Sequence, residues 1–88
     1  MYIIEIEATD WRDDRSWETT RKFDNLKEAR KWAIAESWRI CQAGIIPNKI
    51  FNAIKHGIAV SEGRGVWLRF RSDDYWIKVG IDRSVLND

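Results

Sequence analysis

From Gly65 to Ile81 the chain reads Gly-Val-Trp-Leu-Arg-Phe-Arg-Ser-Asp-Asp-Tyr-Trp-Ile-Lys-Val-Gly-Ile, and this stretch constrains the fold more than any other. Alternate side chains of a strand point to opposite faces, so Val66, Leu68 and Phe70 form one apolar row while Trp67, Arg69 and Arg71 form another. A two-residue turn at Asp73 and Asp74 pairs Phe70 with Ile77, Leu68 with Val79 and Val66 with Ile81, which makes one side of a hairpin a core face. The same register sets Arg71 opposite Trp76, Arg69 opposite Lys78 and Trp67 opposite Gly80. That second face is basic and aromatic, and slippage by one residue would mix the two sets.

The rest of the chain must supply a cover for the apolar row. Tyr2 to Thr9 alternates, with Tyr2, Ile4, Ile6 and Ala8 on one side and Ile3, Glu5, Glu7 and Thr9 on the other, as a strand with an acidic outer face does. After a charged turn at 10–15, Trp17 to Phe23 alternates again and completes a first hairpin. Asn25 followed by Glu28 has the spacing of a helix capping box. Beyond it Leu26, Ala29, Ala33, Ser37, Ile40 and Cys41 share one helical stripe, with Ile34 and Trp38 widening it on one flank. Trp32 falls on the opposite flank and is the helix tryptophan expected to face solvent.

Gly44 is placed to end that helix in a left-handed conformation, with Ile45 packing back on Ile40, and Pro47 prevents continuation. Asn48 to Lys55 predicts a short second helix stopped by Gly57, Ile58 to Ser61 a short strand, and Glu62-Gly63-Arg64-Gly65 a turn. The polar segment 82–88 reads as a frayed tail. The expected order is ββααβββ: a single α+β domain over residues 1–88, with an antiparallel sheet of four or five strands and one long and one short helix on one face.

Eighty-eight residues enclose only a modest core, yet they include six tryptophans, three phenylalanines and two tyrosines, so some rings belong at the surface or at an interface. The net charge of +1 excludes a strongly basic nucleic-acid protein by bulk charge but leaves room for a local patch. The positive charge is concentrated in the middle, where residues 25–56 hold six bases against two acids. One cysteine, Cys41, allows no internal disulfide, and the absence of an apolar leader or an 18-residue apolar run sets the expectation of a cytoplasmic protein away from membranes.

Four groups are candidates for function. The outer hairpin face, Trp67, Arg69, Arg71, Trp76 and Lys78, suits a protein partner, because tryptophan and arginine dominate binding hot spots. It suits nucleic acid as the alternative, in which arginines meet phosphates and rings stack on bases, with the helix bases Lys27, Arg30, Lys31, Arg39, Lys49 and Lys55 assisting. A purely structural use is cross-strand neutralisation by Glu5 and Glu7. Trp32 adds an exposed ring to the protein-binding set.

Asp10, Asp13 and Asp14 form a secondary acidic turn that could imitate phosphates. Their spacing lacks the glycine and closing glutamate of a calcium loop, so no metal is expected there. His56, the only histidine, sits at a helix end as a cap, and Cys41 lies on the inner stripe as a small hydrophobe. Neither has the partners that catalysis needs, and the sequence predicts neither an enzyme nor a cofactor.

The segment Ser16-Trp-Glu-Thr-Thr-Arg-Lys-Phe23 followed by Asp-Asn-Leu-Lys-Glu-Ala-Arg-Lys-Trp-Ala33 resembles the strand-to-helix junction of the arm-type DNA-binding domains of phage integrases. Those modules contact DNA with a three-stranded sheet and end on the helix, whereas here more than half the chain follows it. In size and single-domain character the chain looks like the small accessory proteins of phages and mobile elements, some of which inhibit host complexes. The expectation is therefore a non-catalytic module that binds another protein, with a homodimer as a natural variant.

Overall fold

The computed structural model describes residues 1–61 and 65–83, and the expected turn at 62–64 and the segment 84–88 lie outside them. Two hairpins sit side by side. β1 (Tyr2–Asp10) and β2 (Arg15–Phe23) form the first, β3 (Val66–Arg71) and β4 (Tyr75–Arg83) the second, and β1 pairs with β4 to give an antiparallel sheet in the order β2-β1-β4-β3. α1 (Leu26–Gln42) and α2 (Asn48–Ala59) connect the two edge strands and cover one face.

The core follows from the strand parity. Ile4, Ile6 and Ala8 of β1 and Ile77, Val79 and Ile81 of β4 lie beneath Ala29, Ala33 and Ile40 of α1 and Ile54 and Ile58 of α2, all essentially without exposed surface. Burying an isoleucine contributes about 1.5–3 kcal/mol, so this isoleucine-rich layer is what fixes the register of the two central strands. Val66, Leu68 and Phe70 of the edge strand pack against the cluster while staying partly accessible.

The second hairpin has the expected register, with Phe70 opposite Ile77, Leu68 opposite Val79 and Val66 opposite Ile81. Its turn closes through the Ser72 amide, which donates to the Tyr75 carbonyl at 2.9 Å, leaving Asp73 and Asp74 at the tip. The Asp74 carbonyl in turn accepts from the Trp11 amide at 2.9 Å, so the tips of the two hairpins are joined.

Both predicted ends of α1 form. The Asn25 side chain accepts from the Glu28 amide at 2.8 Å. Gly44 takes φ +82°, its amide donates to the Cys41 carbonyl at 2.9 Å and the Ile45 amide to the Ile40 carbonyl at 3.2 Å, the bonding of a Schellman ending. Ile45 is buried against the core.

α2 departs from expectation. It passes through Gly57 and ends at Ala59, so residues 58 and 59 of the expected short strand are its last turn, and the sheet has four strands. Gly57 is in the helix because α2 crosses close over β3: a Cβ there would come within 2.8 Å of the Leu68 side chain. Close approach and termination favour the same residue, and only the packing tells them apart. Likewise Asp82 and Arg83 are not tail but the end of β4, opposite Ile3 and Tyr2.

Candidate functional site

The face of the sheet away from the helices carries the odd-numbered residues of β1 and β3 and the even-numbered residues of β2 and β4. Across the four strands the pairing lays them out in rows. One row runs Ser16, Thr9, Trp76, Arg71; the next Glu18, Glu7, Lys78, Arg69; the next Thr20, Glu5, Gly80, Trp67. Trp67, Arg69, Arg71, Trp76 and Lys78 thus form one contiguous block on β4 and β3, while the carboxylates occupy β1 and β2.

Within that block the rings are held in place. The Trp67 ring lies over Gly80, where an added Cβ would meet its carbons at 2.5 Å, and the ring remains 44% exposed. The glycine leaves a hollow in which the indole lies against the backbone. The Lys78 ammonium sits 5.5 Å from the Trp67 ring centroid and 3.6 Å from a Glu7 carboxylate oxygen. Cross-strand neutralisation goes no further among the described residues. Glu5 faces Gly80, which has no charge to offer, and neither Arg69 nor Arg71 has a carboxylate partner there.

Trp11 belongs to this surface although its charged neighbours in sequence place it in a solvated turn. It is 46% exposed, and the Arg71 guanidinium lies 5.5 Å from its ring centroid. Strand parity was the available signal, since Trp11 continues the outward series Ile3, Glu5, Glu7, Thr9.

Four expected site residues, Trp32 and the acidic Asp10, Asp13 and Asp14, are not part of that block. Trp32 is on the helical side, half-buried, with its ring 5.7 Å from Phe23 and the Arg21 guanidinium 5.5 Å from its centroid. It lies on the opposite side of the sheet from Trp67 and Trp76. The helix tryptophan that faces solvent is Trp38, 42% exposed, although its ring packs 4.9 Å from Phe51.

Asp10 is not a solvated turn acid. Its parity points it inward, and its side chain has no exposed surface. One carboxylate oxygen accepts from the Arg12 amide at 3.0 Å and Nε at 3.1 Å, the other from Arg15 Nη2 at 2.7 Å and Nε at 3.1 Å. The same two arginines reach on to the end of α1, Arg15 donating to the Ala43 carbonyl at 2.7 Å and Arg12 to the Gly44 carbonyl at 2.9 Å. The Arg15 hydrogen bond leads in holding the Asp10 carboxyl down to about 2, against the cost of burial. Asp13 and Asp14 remain exposed, Asp14 with φ +52°, so the acidic trio is a structural knot with two flanking acids.

On the helical side, the Cys41 thiol donates to the Asn48 side-chain oxygen at 3.1 Å, and burial pushes its pKa up. Glu36, on the buried side of α1, accepts from Arg39 at 2.7 Å and from the Trp17 indole at 3.4 Å. An open cleft of about 570 Å³ between the hairpin tips and the start of α2 brings Arg12, Lys49, Asp74 and Tyr75 to one rim. Arg12 is committed to Asp10 and Gly44, and exposed His56 lies toward the opposite end of α2. The described residues hold no group of three or more His, Cys, Asp or Glu spaced for a metal ion. No described helix is long and apolar enough to cross a membrane. Comparison with protein-family models, curated proteins and solved structures gives no match.

Proposed function

We propose that this chain is a small non-catalytic module that docks on another protein through the outer face of its sheet. The observation that carries the reading is the block of Trp11, Trp67 and Trp76 among Arg69, Arg71 and Lys78, on the face that the helices leave uncovered. Large rings already held in position lose little side-chain freedom on binding, and arginines without carboxylate partners gain the most from meeting one. Inhibition of a host complex by a phage-like accessory protein is one use of such a module, and it keeps the intracellular setting expected from the sequence.

Nucleic acid fits this face less well. Glu5, Glu7 and Glu18 lie on the adjoining strands, where they would repel a phosphate backbone, and Lys78 is shared with Glu7. The acidic half suits a protein surface that has basic groups of its own.

Affinity capture from the native cell with wild type and with Trp67→Ala combined with Trp76→Ala tests the reading. The expected outcome is a folded double variant, by circular dichroism, that has lost its captured protein. Capture unchanged by the two substitutions contradicts the proposal, and so does tight binding of DNA or RNA that weakens steeply with added salt.

A further inference from the structure

Resting on that reading of the outer face as a docking surface, the geometry points to a second copy of this chain as a partner, and we propose that the protein forms a two-fold dimer with its sheets face to face. The charge layout of the face selects that partner. β2 and β1 present Glu18, Glu5 and Glu7 with one cation, Lys22, while β4 and β3 present Arg69, Arg71 and Lys78 with one carboxylate, Asp82. The dividing line runs between the two central strands.

A two-fold axis along the strands, midway between β1 and β4, turns each copy's acidic half onto the other's basic half and keeps every row at its own height. Glu18 then meets the second copy's Arg69, and Glu7 meets its Lys78, each contact occurring twice. Trp67 and Trp76 meet the short side chains of Thr20 and Thr9, which leave room for the rings. Sheets packed face to face lie about 10 Å apart with strands within about 30° of each other, a spacing these side chains span. An axis across the strands would instead set Glu18 on Glu18 and Arg69 on Arg69, so the charges select one symmetry.

The face is small. Four strands about 4.8 Å apart and roughly seven residues long give about 450 Å² per copy before side-chain relief is counted. That is at the low end for a specific interface, and its ion pairs are screened by salt. The expected dimer is therefore weak, with a dissociation constant of roughly 10–100 µM at low salt.

Sedimentation equilibrium of the full chain tests this with two charge reversals, Glu18→Arg and Arg69→Glu, both at exposed positions. Wild type is expected to dimerise, each reversal alone to be monomeric, and an equimolar mixture of the two to dimerise again, because in the mixed pair both contacts join opposite charges. Within one chain the two positions lie three strands apart, roughly 14 Å, so neutralisation inside the chain does not account for recovery in the mixture. If a reversal fails to fold, Glu18→Gln and Arg69→Gln take its place, each expected to weaken the dimer about threefold or more.

A wild type that stays monomeric to about 500 µM overturns the dimer, as does association unchanged by the reversals or a mixture that remains monomeric. Such a result leaves docking on a different protein intact, since that is decided separately by the tryptophan double variant.

Discussion

Asp10 ties three parts of the chain together through two arginines: the end of β1, the turn after it and the carbonyls that finish α1. Its carboxyl titrates near 2 in the folded protein instead of at the ordinary 3.8. Between those values the unfolded chain binds more protons than the folded one, so stability rises with pH there. The contribution is complete above about pH 4–5 and disappears as pH falls toward 2. Asp10→Asn should lower the thermal midpoint at neutral pH and flatten this acid limb, as differential scanning calorimetry from pH 2 to 7 would record.

Gly80 makes a second claim at this scale. Gly80→Ala should cost about 1–3 kcal/mol in urea unfolding, because the Trp67 ring must leave its seat. In a Trp67→Ala background the same change should be close to neutral, and equal costs in both backgrounds would contradict the contact. Neither residue's role was fully legible beforehand. Strand parity turns Asp10 inward, whereas its sequence neighbours Asp13 and Asp14 group it with a solvated turn. That the indole lies over Gly80 depends on a side-chain rotation that alternation does not set.

Among the elements, the two strands of the second hairpin were readable to the residue, because burial of one row forbids a slipped pairing. The start of α1 was equally clear from Asn25 and Glu28, and Asn25→Ala should lower stability by about 0.5–2 kcal/mol, with Asn25→Asp nearly neutral, in chemical denaturation. Two features escaped for a shared reason. A helical wheel gives direction about the axis but not which neighbour reaches a given flank, so it turns Trp32 to solvent although the end of β2 supplies Phe23 and Arg21 to cover it. Gly57 reads as an ending because nothing local announces that β3 will run close beneath α2.

At the level of the whole molecule, the two faces of the sheet divide the work. The helical face holds the isoleucine layer and the buried polar contacts of Asp10, Glu36 and Cys41, all of which concern stability. The outer face contributes little to the core and carries a charge boundary along the middle of the sheet, with Trp67 and Trp76 on its basic side and Trp11, just past the end of β1, against Arg71. Its Glu7 to Lys78 pair is part-exposed and of the kind worth about 0–1 kcal/mol, so the arrangement is not explained by folding energy.

What matters most is therefore which side of the protein touches its partner. A photo-crosslinking amino acid placed at Arg69, on the outer face, and separately at Lys31, on the exposed flank of α1, measures this in the native cell. Adducts are predicted from position 69 and none from position 31; adducts from 31 with none from 69 would contradict it.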